Sequence, residues 1–180
     1  MVEIYDDFLH EVEFEKIKNL LLGNRFPWVW SNVLDYGEGC DPDCEEIYNW
    51  QASNLLYAHM RPLKEEFAYM TPIINDDRLG IGSVCRIKVN LNPITSEHIE
   101  HGMHIDTPFE CTTGIFYVNT NNGYTIFEDG TKIDCVANRM ITFPSSMPHS
   151  GGTTTDTAMK VVINFNYFQV KHTLKYSNGN

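Results

Sequence analysis

The sequence predicts a mainly β fold with N-terminal helices. It is read as one domain over 1–180, in which 1–82 supplies helical support and a lid-like loop and 83–170 a β core. Two observations predict it. After Gly82 the apolar side chains switch from a helical spacing to a period of two, the period of a strand. From there to Phe168, short apolar or alternating runs are broken by turn residues. That is the pattern of an antiparallel sandwich or barrel, of which cupin-like jelly rolls are one kind. A chain of 180 residues with ten Phe, nine Tyr and three Trp is long and bulky enough for one sizeable core.

The elements follow in order. Residues 11–22 predict a helix, with Phe14, Ile17 and Leu21 on one stripe and Gly23-Asn24 as a stop. Phe26–Trp30 reads as a strand or an extended aromatic arm. Between 31 and 50, Asp35, Glu38, Asp41, Asp43, Glu45 and Glu46 share a loop-like stretch with Gly37, Gly39 and Pro42, flanked by Trp28, Trp30 and Trp50. Such a stretch is a lid over a site or a solvated acidic loop. A second helix is expected from about Ser53 to Met70, interrupted at Arg61-Pro62. Val84–Leu91 then alternates cleanly, with Cys85, Ile87, Val89 and Leu91 on one face and Arg86, Lys88 and Asn90 on the other. Asn92 to Gly102 reads as a loop carrying His98 and His101. Further strands are expected at 113–119, 124–127, 134–136, 139–143 and 159–168, with Asn119–Gly123 and Asp129-Gly130 as turns.

Composition narrows the function. A formal charge of −11 argues against a large nucleic-acid footprint, because Lys and Arg dominate phosphate binding. No apolar run is long enough to cross a membrane, and the N-terminus lacks a basic region followed by an apolar core. The five Cys are therefore expected as reduced thiols in a soluble, cytoplasmic protein. Cys40 and Cys44 have no second Cys pair, so a plain loop is expected there rather than a structural zinc site.

The candidate chemistry lies in His104-Ile105-Asp106 and in His149. In an extended strand, residues two apart face the same way, so His104 and Asp106 can grip one ion from one side. His149, in Pro148-His149-Ser150-Gly151-Gly152, would add a third donor from a distant loop. Two histidines and one carboxylate on one face of iron(II) leave the opposite positions open. His98-Ile99-Glu100 fits the same His-x-carboxylate pattern; the turn Thr107-Pro108 after Asp106 and the strand-rich half beyond it favour His104 and Asp106.

The part from about Cys85 to Phe168 resembles the iron(II)- and 2-oxoglutarate-dependent oxygenases, in particular the prolyl 4-hydroxylase-like branch and its small phage-encoded relatives. The residues that carry the resemblance are His104-Ile105-Asp106, Gly123-Tyr124-Thr125-Ile126-Phe127-Glu128, Arg139–Pro144, Pro148-His149 and Lys160. The branch usually shows Gly-Gly-x-Thr-x-Phe in the second of these, and Asn122 stands here for the first Gly. The resemblance implies a double-stranded β-helix, iron(II) on His104, Asp106 and His149, and a 2-oxoglutarate cosubstrate whose 5-carboxylate pairs with Lys160. It also implies that Asn90 and Thr125 line the cosubstrate pocket, with ascorbate as a candidate reductant. The reaction implied is hydroxylation of a peptidyl or free amino-acid side chain, proline among them, with decarboxylation of 2-oxoglutarate to succinate. Two alternatives stay open: the same cofactors acting on a small metabolite, and a non-catalytic jelly-roll metal-binding protein. The sequence leaves the oligomeric state open.

Overall fold

The computed structural model describes residues 1–31 and 50–170; the acidic stretch and Cys40 and Cys44 lie outside the described residues. The strands are β1 (Glu3–Tyr5), β2 (Val29–Ser31), β3 (Gln51–Ala58), β4 (Arg61–Pro62), β5 (Ile81–Pro93), β6 (Thr112–Tyr117), β7 (Tyr124–Phe127), β8 (Lys132–Asp134), β9 (Arg139–Pro144), β10 (His149–Gly152) and β11 (Met159–Gln169). The helices are α1 (Glu11–Leu21), a 3-10 segment at Glu65–Met70, and the single turn α2 (Thr71–Ile74). An eight-stranded sheet runs β1-β9-β6-β11-β5-β3-β2, with β4 paired to β3, and a three-stranded sheet runs β10-β7-β8. Every strand pair in both is antiparallel.

Strand alternation gives the large sheet two apolar faces. Phe116, Met140, Ile87, Val89, Val161, Ile163 and Phe165 point outward and pack with Phe14, Ile17 and Leu21 of α1 and with Phe8, Leu56 and Ile73. Ile115, Tyr117, Ile141, Phe143 and Val162 point inward, onto Phe127 and Ile133 of the small sheet. Phe116 joins helix to sheet, with its ring edge-on to Phe8 and Phe14 at 6.2 Å. It is fully buried. Truncation to alanine should cost about 3–5 kcal/mol, read from the shift of a urea transition.

The inward face is apolar only in part. On β5 and β11 the inward phase reads Arg86, Lys88, Asn90, Asn92 and Lys160, Val162, Asn164. The space between the sheets there becomes a polar cavity rather than core.

Three expectations are corrected. The helix expected over 53–70 is helical only in its last part, the 3-10 segment Glu65–Met70. Gln51–Ala58 is a strand between β5 and β2, its even-numbered residues from Ala52 to Ala58 buried. Leu and Ala favour helix by well under 1 kcal/mol each, and ladder hydrogen bonds on both edges outweigh that. The β3–β4 turn is made by His59 (φ 52) and Met60 (φ 60), left-handed residues without the usual Gly or Asn, so no turn signal marked it. Second, the strand expected at 134–136 ends at Asp134. The turn at Asp129-Gly130 (φ 83 at Gly130), with the Thr131 N–H donating to Asp129 Oδ1, starts the return strand earlier. Third, His149 opens strand β10 rather than sitting in a loop. Arg139, by contrast, holds Asp6 through Nε at 2.6 Å, a link between the N-terminal segment and the sheet.

Candidate metal centre and its pocket

His104 and His149 are brought together by backbone. The N–H of each donates to the carbonyl of the other at 3.0 Å, a single antiparallel bridge that places both side chains on one face. Their ring centroids are 4.9 Å apart. Asp106 follows two residues on; its Oδ1 lies 4.0 Å from His104 Nε2 and its side chain is 3% exposed. The triplet is thus held by one bridge and not, as expected, by a regular strand. One donor atom from each of His104, Asp106 and His149 lies within 4.8 Å of the others, the only such cluster of three among the described residues.

Neighbouring groups fix the donors. Nδ1 of His104 lies 3.1 Å from the Gly102 carbonyl, and Nδ1 of His149 lies 3.1 Å from the Met147 carbonyl. A carbonyl only accepts, so each Nδ1 carries hydrogen, and in the neutral ring that tautomer leaves the Nε2 lone pair for a metal. Burial pushes the His149 pKa down; Asp106 opposes that and His104 reinforces it, so the neutral ring is favoured. Phe143 packs edge-on against His149 at 4.8 Å. Asn166 Nδ2 donates to Asp106 Oδ2 at 3.3 Å and to Thr113 Oγ1 at 3.1 Å, orienting the carboxylate. Two neutral imidazoles and one carboxylate, with no fourth His, Cys, Asp or Glu donor among the described residues, fit a ferrous ion with open positions.

The same side chains line a cavity of about 240 Å³, which also contains Lys160, Asn90 and Thr125. Lys160 is fully buried and reaches from the large sheet to the small one, its Nζ donating to the carbonyls of Tyr124 at 2.8 Å and Gly152 at 2.7 Å. It runs past glycines. A Cβ on Gly123 would stand 3.0 Å from Lys160 Cδ, and one on Gly151 would stand 3.3 Å from Nζ. No carboxylate lies within ion-pair reach of Nζ among the described residues, and burial pushes its pKa down. Thr125 Oγ1 accepts from the Tyr117 hydroxyl at 2.7 Å. Asn90 Oδ1 and Asn92 Nδ2, both lining the cavity, are buried without a partner among the described residues. A buried cation and the unpaired Asn92 Nδ2 donor in one cavity fit a small acidic ligand, with Asn90 Oδ1 left as an acceptor.

The rival pair falls away. Glu100 accepts from Lys132 Nζ and the Tyr124 hydroxyl, and His98 Nδ1 bonds the Thr153 carbonyl. His101, placed from sequence in a loop, lines the cavity and its Nε2 is buried. Burial, then Lys160 and His104, push its pKa down to about 4. The folded pKa lies below the usual value near 6.5. On acidification the unfolded chain therefore takes up this proton first. Stability present above about pH 6.5 should be lost as the pH falls towards 4, by roughly 2–3 kcal/mol. Urea titrations of metal-free protein should show that loss, and His101→Gln should flatten it. An unchanged slope in the variant would place the titration elsewhere.

No protein-family model matches the chain, and no relative is found among curated proteins. Solved structures do match. The chain is similar to an oxidoreductase of the 2OG-Fe(II) oxygenase family from Burkholderia pseudomallei, at 13% identity and TM-score 0.64, over 93% of this chain and 85% of that one. It is similar to a prolyl hydroxylase from Trichoplax adhaerens in complex with a hypoxia inducible factor oxygen degradation domain peptide fragment, at 20% identity and TM-score 0.59, over 93% and 83%. It is also similar to SnoN, a non-heme alpha ketoglutarate dependent epimerase from nogalamycin biosynthesis, at 12% identity and TM-score 0.61, over 93% and 77%. The chain therefore has the jelly-roll fold seen in 2-oxoglutarate oxygenases. Among the described residues no helix is long and apolar enough to cross a membrane.

Proposed function

We propose that the protein is an iron(II)- and 2-oxoglutarate-dependent dioxygenase that hydroxylates an amino-acid side chain, free or in a peptide, and releases succinate. The observation that carries this reading is one cavity with an open two-His, one-carboxylate donor set at one end and a buried, carboxylate-free lysine at the other. His104, Asp106 and His149 would hold the iron. Lys160 would pair with the far carboxylate of 2-oxoglutarate, in surroundings where a charge pair is stronger than in water. Asn90 and Thr125 would line the cosubstrate's path, and the Phe127 and Phe143 rings keep water from the back of His149. Bound iron and cosubstrate would supply the oxygen activation; the chain supplies orientation and shelter. A peptide substrate is supported by the peptide bound to the Trichoplax neighbour. The protein would act without a membrane or nucleic-acid partner, in the cytoplasm, with ascorbate as a candidate reductant.

The test is aerobic turnover with iron(II), 2-oxoglutarate and a panel of peptides and free amino acids, reading succinate and the mass of one added oxygen atom. Proline-rich peptides against free metabolites separate the peptidyl substrate from the small one. Iron bound tightly with no succinate from any mixture would leave a non-catalytic metal-binding protein.

A further inference from the structure

We propose that Arg86 and Lys88 form a second anion subsite in this cavity, which holds a carboxylate of the primary substrate; the proposal rests on the oxygenase reading above. The β5–β11 register fixes the layout. Asn92 stands opposite Lys160, Lys88 opposite Asn164, and Arg86 opposite Asn166, the residue that bonds Asp106. Four positions of β11 separate Asn164 from Lys160 (164 − 160), roughly 13 Å of strand. Cations therefore stand at two separate levels of one cavity, Lys160 at one end and Arg86 with Lys88 towards the metal ligands.

Charge makes the second level notable. The chain carries a formal −11, yet among the described residues the charged side chains lining this cavity, histidines aside, are Arg86, Lys88 and Lys160 against Asp106. In the proposed reaction 2-oxoglutarate brings two carboxylates, one for Lys160 and one for the metal. Arg86 and Lys88 are cations beyond those two roles. Among the described residues Arg86 makes a bond from Nη1 to the Asp106 carbonyl at 3.4 Å, and its Nε is buried without a partner. No described carboxylate pairs with Lys88 Nζ within 4.0 Å. Its ammonium is destabilised by burial and then by Arg86, with Asp106 opposing, which is the condition a bound oxyanion relieves. Beside them Asn164 Oδ1 and Asn90 Oδ1 are buried and unpaired, acceptors for a substrate N–H or ammonium. The site thus selects a carboxylate near the reacting carbon, from a free amino acid or from an acidic residue of a peptide, over a neutral proline-rich segment.

The test reads binding first. Metal-free parent, Lys88→Gln, Arg86→Gln and Lys160→Gln proteins are titrated with L-aspartate, L-glutamate, an acidic capped tripeptide and the matching amides, by calorimetry and by thermal shift. Folding of each variant is checked by its urea transition. The parent should bind the acids about tenfold or more tightly than the amides. Lys88→Gln or Arg86→Gln should erase that preference while leaving 2-oxoglutarate binding within about twofold, whereas Lys160→Gln should do the reverse. The free acids against the tripeptide identify the source of the carboxylate. Acid binding lost in Lys160→Gln and untouched in Lys88→Gln would overturn the proposal, because one lysine would then account for every anion. So would equal binding of acids and amides by the parent, a comparison that needs no variant. Turnover separates the two readings: acid-selective binding with no succinate sinks the oxygenase reading and spares the subsite. Succinate stimulated equally by amides, and unchanged in Lys88→Gln, does the opposite.

Discussion

Asp106→Ala should lower iron(II) affinity by more than about a hundredfold and remove iron-dependent succinate formation. Changing a residue that only orients a ligand typically costs about 10–100-fold in metal affinity or activity, and Asp106 would be a ligand itself. It is also the only donor of the set that brings a negative charge, since imidazole binds a metal as the neutral ring. His104→Ala and His149→Ala should behave alike. Asn166→Ala is the graded control: it frees Asp106 Oδ2 without deleting a donor, so its loss should stay within the lower range. Anaerobic iron(II) titration followed by succinate assay gives both numbers. Asp106→Ala protein that binds iron like the parent would show that the three side chains are not a ligand set.

The candidate cluster was legible in part because its first pair is local: His104 and Asp106 sit two apart, while His149 comes from the distant Pro148-His149 segment. What the sequence did not show was how the three side chains are held. A single backbone bridge does it, in a stretch too short to have a period, and β10 escaped notice because Gly151-Gly152 lowers strand propensity. Gly152 is nonetheless required: a Cβ there would lie 2.6 Å from the Tyr124 ring. The polar face of β5 was readable, because strict alternation put Arg86, Lys88 and Asn90 on one side. Counting in twos from Lys160 likewise puts Val162, Asn164 and Asn166 on its side of the strand. Residues 51–58 defeated the same method. Gln-Ala-Ser-Asn-Leu-Leu-Tyr-Ala has strong helix formers, and its strand form depends on β2 and β5, one of them distant in sequence. His101 was missed for a related reason, since its segment is tied to β10, distant in sequence, where its N–H donates to the Gly151 carbonyl at 3.1 Å.

Lys160→Ala should weaken 2-oxoglutarate binding by about 10²–10³-fold while changing iron affinity only a few-fold. Truncating one partner of a buried charge pair costs about 3–5 kcal/mol, and each 1.4 kcal/mol is a tenfold change. The full effect applies here because the ammonium is fully buried and its two bonds go to backbone carbonyls, which do not neutralise it. Those bonds predict a second cost. Without Nζ the carbonyls of Tyr124 and Gly152 lose a donor, so the alanine protein should also be less stable by about 1–3 kcal/mol. Lys160→Met keeps most of the side-chain volume and loses only the charge and the donors. It should share the binding defect, with the packing part of the stability loss reduced. Calorimetric titration of the metal-loaded proteins with 2-oxoglutarate, beside urea transitions, separates the two effects. Equal losses of iron and 2-oxoglutarate binding in both variants would mean that Lys160 braces the two sheets and does not anchor the cosubstrate.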